Sequence, residues 1–162
     1  MRPYVLLFTI LCSPVFSQQL VGTVEKIDKD QLQVRARDGL VTLRSDASTV
    51  VAKWKKSNDL SLLAVGDEVR INYYGQDDKL TAVNVCAKVA VSGTIKQTAS
   101  NHFVISTDDL ASADRKSGVF VFLNQPTKLG VGREELKVGR RVHVTGWDSG
   151  DGVVEAEKVA FN

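Results

Sequence analysis

The 162-residue chain has little of what most catalytic and metal sites are built from. It contains two cysteines and two histidines, and the histidines, His102 and His143, do not lie at metal-ligand spacing. Only Cys86 remains beyond Ser17, so that part of the chain can form neither a structural zinc site nor an internal disulfide. We therefore expect no catalytic residue, no metal and no cofactor, and a stability that comes from packing alone.

Long hydrophobic runs and an excess of one charge are also absent. The first stretch, MRPYVLLFTILCSPVFS, holds an apolar run too short for a permanent membrane span, with Val15 and Ser17 at the positions that a signal peptidase favours. Residues 1–17 are therefore predicted to be a signal peptide, which implies an exported protein, periplasmic or secreted, without integral membrane contact after cleavage. Leu11 before Cys12 argues against lipidation. The formal net charge of +2 favours neither a nucleic-acid nor a membrane partner.

What the chain does have is an internal repeat. Matching positions are Gly22 and Gly93, Gly66 and Gly139, and Ala82 and Ala156. A repeated segment of about 70 residues that occurs twice indicates a tandem pair of domains rather than a solenoid. The predicted boundaries are 18–88 and 89–162, called here the first and the second unit.

Within each unit the pattern is that of strands, as in QLQVRAR, LVTLRS, EVRINYY and KLTAVNV. Asp38-Gly39 predicts a type I′ hairpin turn that pairs Arg35 with Thr42 and Gln33 with Arg44. One face of that hairpin is then apolar: Leu32, Val34, Ala36, Val41 and Leu43.

Helical signals are limited to SNDLSLL, with Ser57 or Asn58 as its cap, and to one turn at REEL. Each unit thus reads as three strands, a short helical turn and two strands, which is the order of an OB-like barrel. We predict an all-β fold of two tandem OB-like five-stranded small barrels, with short helical turns between strands three and four.

Three repeated features also point to a family: Gly-Thr-hydrophobic, then Thr49 or Thr127, then Leu-x-Val-Gly-x-x-Val. This pattern resembles the exported bacterial domain of unknown function DUF5666, twice, over nearly all of the chain after Ser17. The resemblance implies a small OB-like barrel in the cell envelope and brings no activity. Two insertions depart from the family pattern, KWKKS in the first unit and DDLASADRKS in the second, and insertions are where copy-specific function would lie.

The outer faces of strands two and three are the surface with which OB-like barrels commonly bind ligands. In the first unit this face and the neighbouring insertion are basic, and the candidate ligand-binding residues are Arg35, Arg37, Arg44, Lys53, Trp54, Lys55 and Lys56. In the second unit the face is apolar, and Val104, Phe120 and Phe122 on it are candidate interface residues. Cys86, near the end of the first unit, is a further candidate interface residue. The aromatic patch either packs against the other barrel or a partner, or stacks bases or sugars. Cys86 either packs at the junction of the units or forms an intermolecular disulfide.

These observations favour an exported, non-catalytic binding or envelope scaffold protein, with a protein or an anionic polymer as its partner. One alternative is binding of a polyanion, such as single-stranded nucleic acid or an acidic glycan, through the first barrel. The other is a hydrolytic enzyme that uses His102 or His143, although no nucleophile motif accompanies either histidine.

Overall fold

The computed structural model describes residues 17–107, 118–130 and 132–161, and these residues form an all-β structure, which confirms the predicted class. The strands are β1 Gln18–Ile27, β2 Gln31–Ala36, β3 Gly39–Arg44, β4 Val50–Lys53, β5 Lys55–Ser57, β6 Glu68–Tyr74, β7 Thr81–Thr98, β8 His102–Thr107, β9 Val119–Leu129, β10 Arg141–Gly150 and β11 Val153–Phe161. The described residues include two 3₁₀ turns, Leu60–Leu62 and Arg133–Glu135, which match the two predicted helical signals. Residues 1–16 of the predicted signal peptide and the insertion 108–117 lie outside the described residues. In the described part, no helix has the length and apolar character needed to span a membrane.

The strand pairings close into two five-strand rings that share β7. In the first ring β1 pairs with β2 and β6, β2 pairs with β3, and both β3 and β6 pair with β7. In the second ring β7 pairs with β8 and β10, β8 pairs with β9, and β11 joins β9 to β10. The β3–β7 and β9–β11 pairs are parallel, and the other pairs of the two rings are antiparallel.

Strand β7 is 18 residues long and supplies a wall to both rings. Its side chains alternate, so Val85 and Ala87 enter the first core while Val89 and Val91 enter the second. The predicted boundary between residues 88 and 89 therefore separates the two cores but lies inside one continuous strand. The units are joined by a strand rather than by a flexible linker.

The repeated Val-Gly dipeptide forms the corner before the fourth strand of each ring. Gly66 has a φ of +95° and Gly139 a φ of +89°, a left-handed backbone that is easy for glycine. Their N–H groups donate to Val24 and Ile95, at 2.8 Å in both units. Leu63, just before the first corner, is buried in the first core, and Leu136, at the matching position, packs partly buried against the second core.

The predicted β2–β3 hairpin has the correct faces but the wrong register. Leu32 pairs with Leu43 and Val34 with Val41, and the loop is Arg37–Asp38 rather than Asp38–Gly39. Asp38 does not adopt the positive φ that a type I′ turn requires. A slip of two residues keeps every side chain on its predicted face, since strand side chains alternate with a period of two.

The cap of the first 3₁₀ turn also differs from the prediction. Asp59, and not Ser57 or Asn58, is the N-cap, and its carboxylate accepts a hydrogen bond from the Ser61 N–H at 2.8 Å. Acceptance of an orphan N–H by a carboxylate near a helix start is favourable because both the hydrogen bond and the charge act in the same direction.

Candidate functional site

The two units meet around a cleft of about 300 Å³, called here the junction cleft. Strands β4, β5, β6 and β7 of the first unit form one side, and β10 and β11 of the second unit form the other. The lining residues are Val50, Ala52, Lys56, Arg70, Asn72, Asn84, Cys86, Ser149 and Glu155. Because both units contribute to this lining, the cleft exists only where the units are docked.

Arg70 is the central side chain of the junction. It lies between the core residues Val69 and Ile71, so alternation turns its side chain outward from the first ring. Its guanidinium donates to the Glu155 carboxylate of the second unit at 2.6 Å and lies over the Trp147 ring, 5.5 Å from the ring centroid. Arg70 and Glu155 also line a second, smaller cavity of about 90 Å³, together with Trp147.

Lys88 adds a second ionic link between the units. Its ammonium group lies 3.0 Å from Glu68 of the first unit and 2.8 Å from Glu157 of the second. Partial burial works against the charged form, but hydrogen bonds and attraction to the two carboxylates raise the pKa of Lys88 overall. The same group lies 5.4 Å from the Trp147 ring centroid, so the indole is contacted by two cations.

The KWKKS insertion docks on the second unit instead of projecting into solvent. It forms the β4–β5 hairpin, whose turn residue Trp54 has a φ of +63°. The Trp54 N–H donates to the Asp148 carboxylate, and the indole packs against the core of the second unit. Lys56 pairs with Asp151 at 3.1 Å. We call this group of contacts the Trp54 clasp.

The clasp changes the interpretation of the four candidate ligand residues in this insertion. Trp54 is half-buried in the junction, so its ring is not an open stacking platform. Lys53 is bound to Asp67 within the first unit at 2.6 Å, and Lys56 is bound across the junction. Lys55 alone of the four is exposed without an ion pair to any residue in the described ranges.

Cys86 lies in the junction cleft. Val85 and Ala87 point into the first core, and the half-buried thiol points outward toward the second unit. Burial raises the pKa of the Cys86 thiol, while the neighbouring Arg70 acts in the opposite direction. This position agrees with packing at the junction, the first of the two predicted possibilities.

The three arginines of the predicted basic face are not brought together. Arg35 lies opposite Leu40, and Arg44 lies opposite Gln31, so the two arginines are not diagonal neighbours as the predicted register required. Arg35 is also held by the Glu25 carboxylate, through one bond of 2.9 Å and a second, shorter one. Arg37 lies in the exposed turn. The face is thus a spread of separate charges rather than a cluster.

The predicted apolar face of the second unit is present and includes a histidine. Val104 pairs with Phe120, and His102 pairs with Phe122, across β8 and β9. The His102 ring lies 5.4 Å from the Phe122 centroid and 6.4 Å from that of Phe120. Val104 is 8% exposed, whereas Phe120 is 39% exposed, so part of this patch faces solvent.

The two histidines have polar neighbours of different kinds. His143 and Ser92 are cross-strand partners, with 2.9 Å between Nδ1 and the hydroxyl, while His102 lies 3.0 Å from the Asn101 amide oxygen. Within the described ranges, no group of three or more His, Cys, Asp or Glu side chains is arranged to hold a metal ion.

Arg70, Trp147, Asp148 and Glu155 were missed as candidates from the sequence. Alternation could have turned Arg70 and Trp147 outward, since each follows an inward valine or glycine position of its strand. The sequence pattern of one unit, however, does not indicate which of its outer faces packs against the other unit. The missing information is the path of the shared strand β7.

Comparison with known proteins was informative at the family level. A family model described as a domain of unknown function, DUF5666, matches residues 21–85 and again residues 92–160. The two matches fall on the two units and confirm the resemblance read from the repeated motifs. No curated protein and no solved structure matches the chain.

Proposed function

The chain belongs to the DUF5666 family, whose domain it carries twice, and we propose that it is an exported, non-catalytic protein that acts by binding or as an envelope scaffold. The observation that carries this proposal is the junction. Charged and aromatic side chains of both units bind one another across it, as Arg70 does with Glu155 and Trp147. They hold two closed rings in one arrangement around a cleft, which suits a protein that presents a fixed surface.

Export is tested by the mass of the processed chain. Expressed with its own N-terminus in a bacterial host, the protein should be recovered from the periplasm or the medium with a mature terminus at Gln18, the first residue of β1. Intact-mass spectrometry of each cell fraction measures this. Recovery of the unprocessed chain from the cytoplasm would contradict the proposal.

Among the described residues, the Ser92–His143 hydrogen bond is the contact that favours the enzymatic alternative. It joins facing residues of β7 and β10, where polar cross-strand pairs are an ordinary feature of an exposed sheet. Chromogenic ester, phosphodiester and glycoside substrates should show no turnover above background. A turnover that the Ser92→Ala and His143→Ala variants both abolish, with folding intact, would establish the enzyme instead.

Polyanion binding through the first unit is less well supported by the structure than by the sequence, because several of the basic side chains are paired with carboxylates. Arg35 is neutralised by Glu25, and Lys53 and Lys56 are also paired. If this alternative holds, affinity for heparin or single-stranded DNA falls steeply with salt, and replacement of Arg37 and Arg44 by Gln flattens that dependence. Absence of salt-dependent retention on a heparin column at low ionic strength would remove it.

A further inference from the structure

The junction cleft has a polar lining, and part of its hydrogen-bonding capacity is not used by the contacts between the units. Asn72 and Asn84 face each other across β6 and β7. The side-chain oxygen Oδ1 of Asn72 accepts a hydrogen bond from the side-chain amide of Gln19 at 3.2 Å. The Asn84 side chain is exposed and makes no hydrogen bond to any residue in the described ranges. An amide in this position offers both a donor and an acceptor to a ligand.

The charges of the cleft limit the chemistry of that ligand. Arg70 is matched by Glu155, at 2.6 Å, and Lys56 by Asp151, at 3.1 Å. The Arg70–Glu155 pair is the partly buried one of the two, and an ionic ligand that separated it would leave one partner uncompensated, which is costly. A neutral ligand that carries both donors and acceptors can instead add hydrogen bonds to pairs that stay intact.

The apolar part of the lining comes from β4. Ala52 is 3% exposed yet belongs to neither core, because it faces the junction, and Val50 lies two residues away on the same face. Val50, which is half-buried, supplies most of the accessible C–H surface beside the amides, and Ala52 adds only a small area to it. A volume of about 300 Å³ lies at the lower end of the range of small-molecule sites.

We propose that the junction cleft binds a neutral, polyhydroxylated ligand of the size of a mono- or disaccharide. Its hydroxyl groups bond to the Asn84 amide and to the outer atoms of the Arg70–Glu155 pair, while its C–H face lies on Val50 and Ala52. This site deepens the proposed binding function and rests on it. Because both units line the cleft, the docked pair is needed for binding.

The chain carries two reporters at this site. Both tryptophans, Trp54 and Trp147, lie at the junction, so intrinsic fluorescence reports on it directly. Cys86 lines the cleft, and a Cys12→Ser change leaves it as the only thiol in the full chain. Its rate of alkylation by iodoacetamide measures access to the cleft.

The test is a titration of the purified Cys12→Ser chain with a fixed panel. The neutral members are maltose, cellobiose, sucrose and N,N′-diacetylchitobiose, the charged members are glucuronate and glucosamine, and a capped alanine dipeptide represents peptides. We expect at least one neutral disaccharide to change tryptophan emission saturably, with a Kd of about 1 mM or below. The same sugar should slow alkylation of Cys86 in proportion to occupancy.

Two amide variants on strand β7 give the matched comparison. Asn84→Ala should weaken binding by about tenfold, through loss of its hydrogen bonds to the sugar. Gln97→Ala removes an exposed amide of the same strand outside the cleft and should leave the affinity unchanged. Equal effects of the two variants, or no saturable response to any neutral disaccharide of the panel, would overturn the proposal.

Other outcomes separate the ligand class from the proposed function. Tighter binding of the capped dipeptide, or of either charged sugar, would show that the assigned ligand class is wrong. Turnover of a bound disaccharide would contradict the proposed non-catalytic function while the site itself stands. Failure of every panel member, together with correct export and no catalysis, would remove the site and leave the proposed function.

Discussion

At the scale of single residues, the repeated positions perform the same structural task in both units. The Thr49 hydroxyl donates to the Ala82 carbonyl, and the Thr127 hydroxyl donates to the Ala156 carbonyl, at 2.7 Å in each case. In the first unit this bond joins the residue before β4 to β7, and in the second unit it joins β9 to β11. It explains why a threonine recurs at this position, because the hydroxyl is the donor and the acceptor is a backbone carbonyl.

Gly22 and Gly93 recur because there is no room for a Cβ atom at either position. A Cβ at Gly22 would lie 2.5 Å from the Arg35 carbonyl oxygen, and one at Gly93 would lie 2.1 Å from that of Ser106. Both contacts are with backbone atoms of the adjacent strand, which cannot rotate away as a side chain can. The two glycines therefore let neighbouring strands of each ring approach closely.

The threonine bond gives a stability prediction. Thr49 is fully buried, so Thr49→Val leaves the Ala82 carbonyl without its donor and should lower the free energy of unfolding by about 1–3 kcal/mol. Thr42→Val, on the exposed outer face of β3, is the control and should change it by less than about 0.5 kcal/mol. Urea unfolding followed by circular dichroism measures both. Equal losses would show that the hydroxyl of Thr49 carries no specific role.

The Cys86 thiol gives a pH prediction. Burial raises its pKa in the folded protein, so the unfolded chain releases this proton first as the pH rises. The contribution of Cys86 is therefore complete below the pKa of an unfolded cysteine and is lost as the pH rises toward the folded value. We expect the free energy of unfolding to fall faster between neutral and alkaline pH in the native chain than in Cys86→Ala. Parallel pH profiles of the two proteins would contradict the raised pKa.

At the scale of elements, sequence patterns determined faces better than pairings. The apolar face of β2 and β3 could be read from alternation because the side-chain period is built into the strand itself. The register could not, because a slip of two residues preserves that face and only the turn conformation at Asp38 distinguishes the alternatives. In the first helical signal Leu60 follows the capping side chain of Asp59, whereas the second turn begins after Gly132 and has no side-chain cap hydrogen bond.

The β4–β5 hairpin shows the limit of reasoning from local composition. Lysines around Trp54 resemble a stacking and phosphate-binding element, but the groups that bind Lys53, Trp54 and Lys56 lie outside this segment of the sequence. Asp148, which accepts from the Trp54 N–H, is 94 residues distant. Only the tertiary fold shows that the insertion is a clasp.

The Trp54 clasp can be opened by one substitution. Asp148 is 1% exposed, and its carboxylate accepts from the N–H groups of Trp54 and Gly150. Asp148→Asn removes the charge and one acceptor, which should cost about 1.5–3 kcal/mol of unfolding free energy. It should also shift tryptophan emission toward that of exposed indole.

Asp151→Asn is the matched control for this change. Asp151 lies in the turn that follows β10, but its ion pair with Lys56 is exposed, and such pairs contribute about 0–1 kcal/mol. Urea unfolding with tryptophan fluorescence compares the two variants. A loss for Asp151→Asn as large as that for Asp148→Asn would show that the clasp depends on surface charge rather than on the buried carboxylate.

At the scale of the whole molecule, the tandem organisation was predictable and the junction was not. The repeated Gly, Thr and Val-Gly positions defined two units because each unit needs its own corners and its own core. The junction depends on Arg70, Lys88 and Trp147, outward side chains that have no counterpart pattern along the sequence. Their roles follow from β7, which continues from one ring into the next and thereby fixes which outer faces meet.

The last prediction concerns the dependence of the second unit on the first. A fragment of residues 89–162 lacks the first half of β7 and loses Arg70, Lys88 and Trp54, which contact Trp147, Glu155 and the second core. A domain of this size buries limited surface, so the loss should leave it less stable than the whole chain and prone to associate through its uncovered junction.

A longer fragment separates the two causes of that loss. Residues 81–162 retain all of β7 and Lys88 but still lack Arg70 and Trp54, so they restore the strand without restoring the docked unit. We expect the midpoint of urea unfolding to rise from 89–162 to 81–162 to the whole chain, with Trp147 emission moving toward the buried position in the same order. Docking would be contradicted if 89–162 were monomeric in analytical ultracentrifugation and unfolded at the same urea concentration as the whole chain, because the contacts of the first unit would then contribute nothing to the stability of the second.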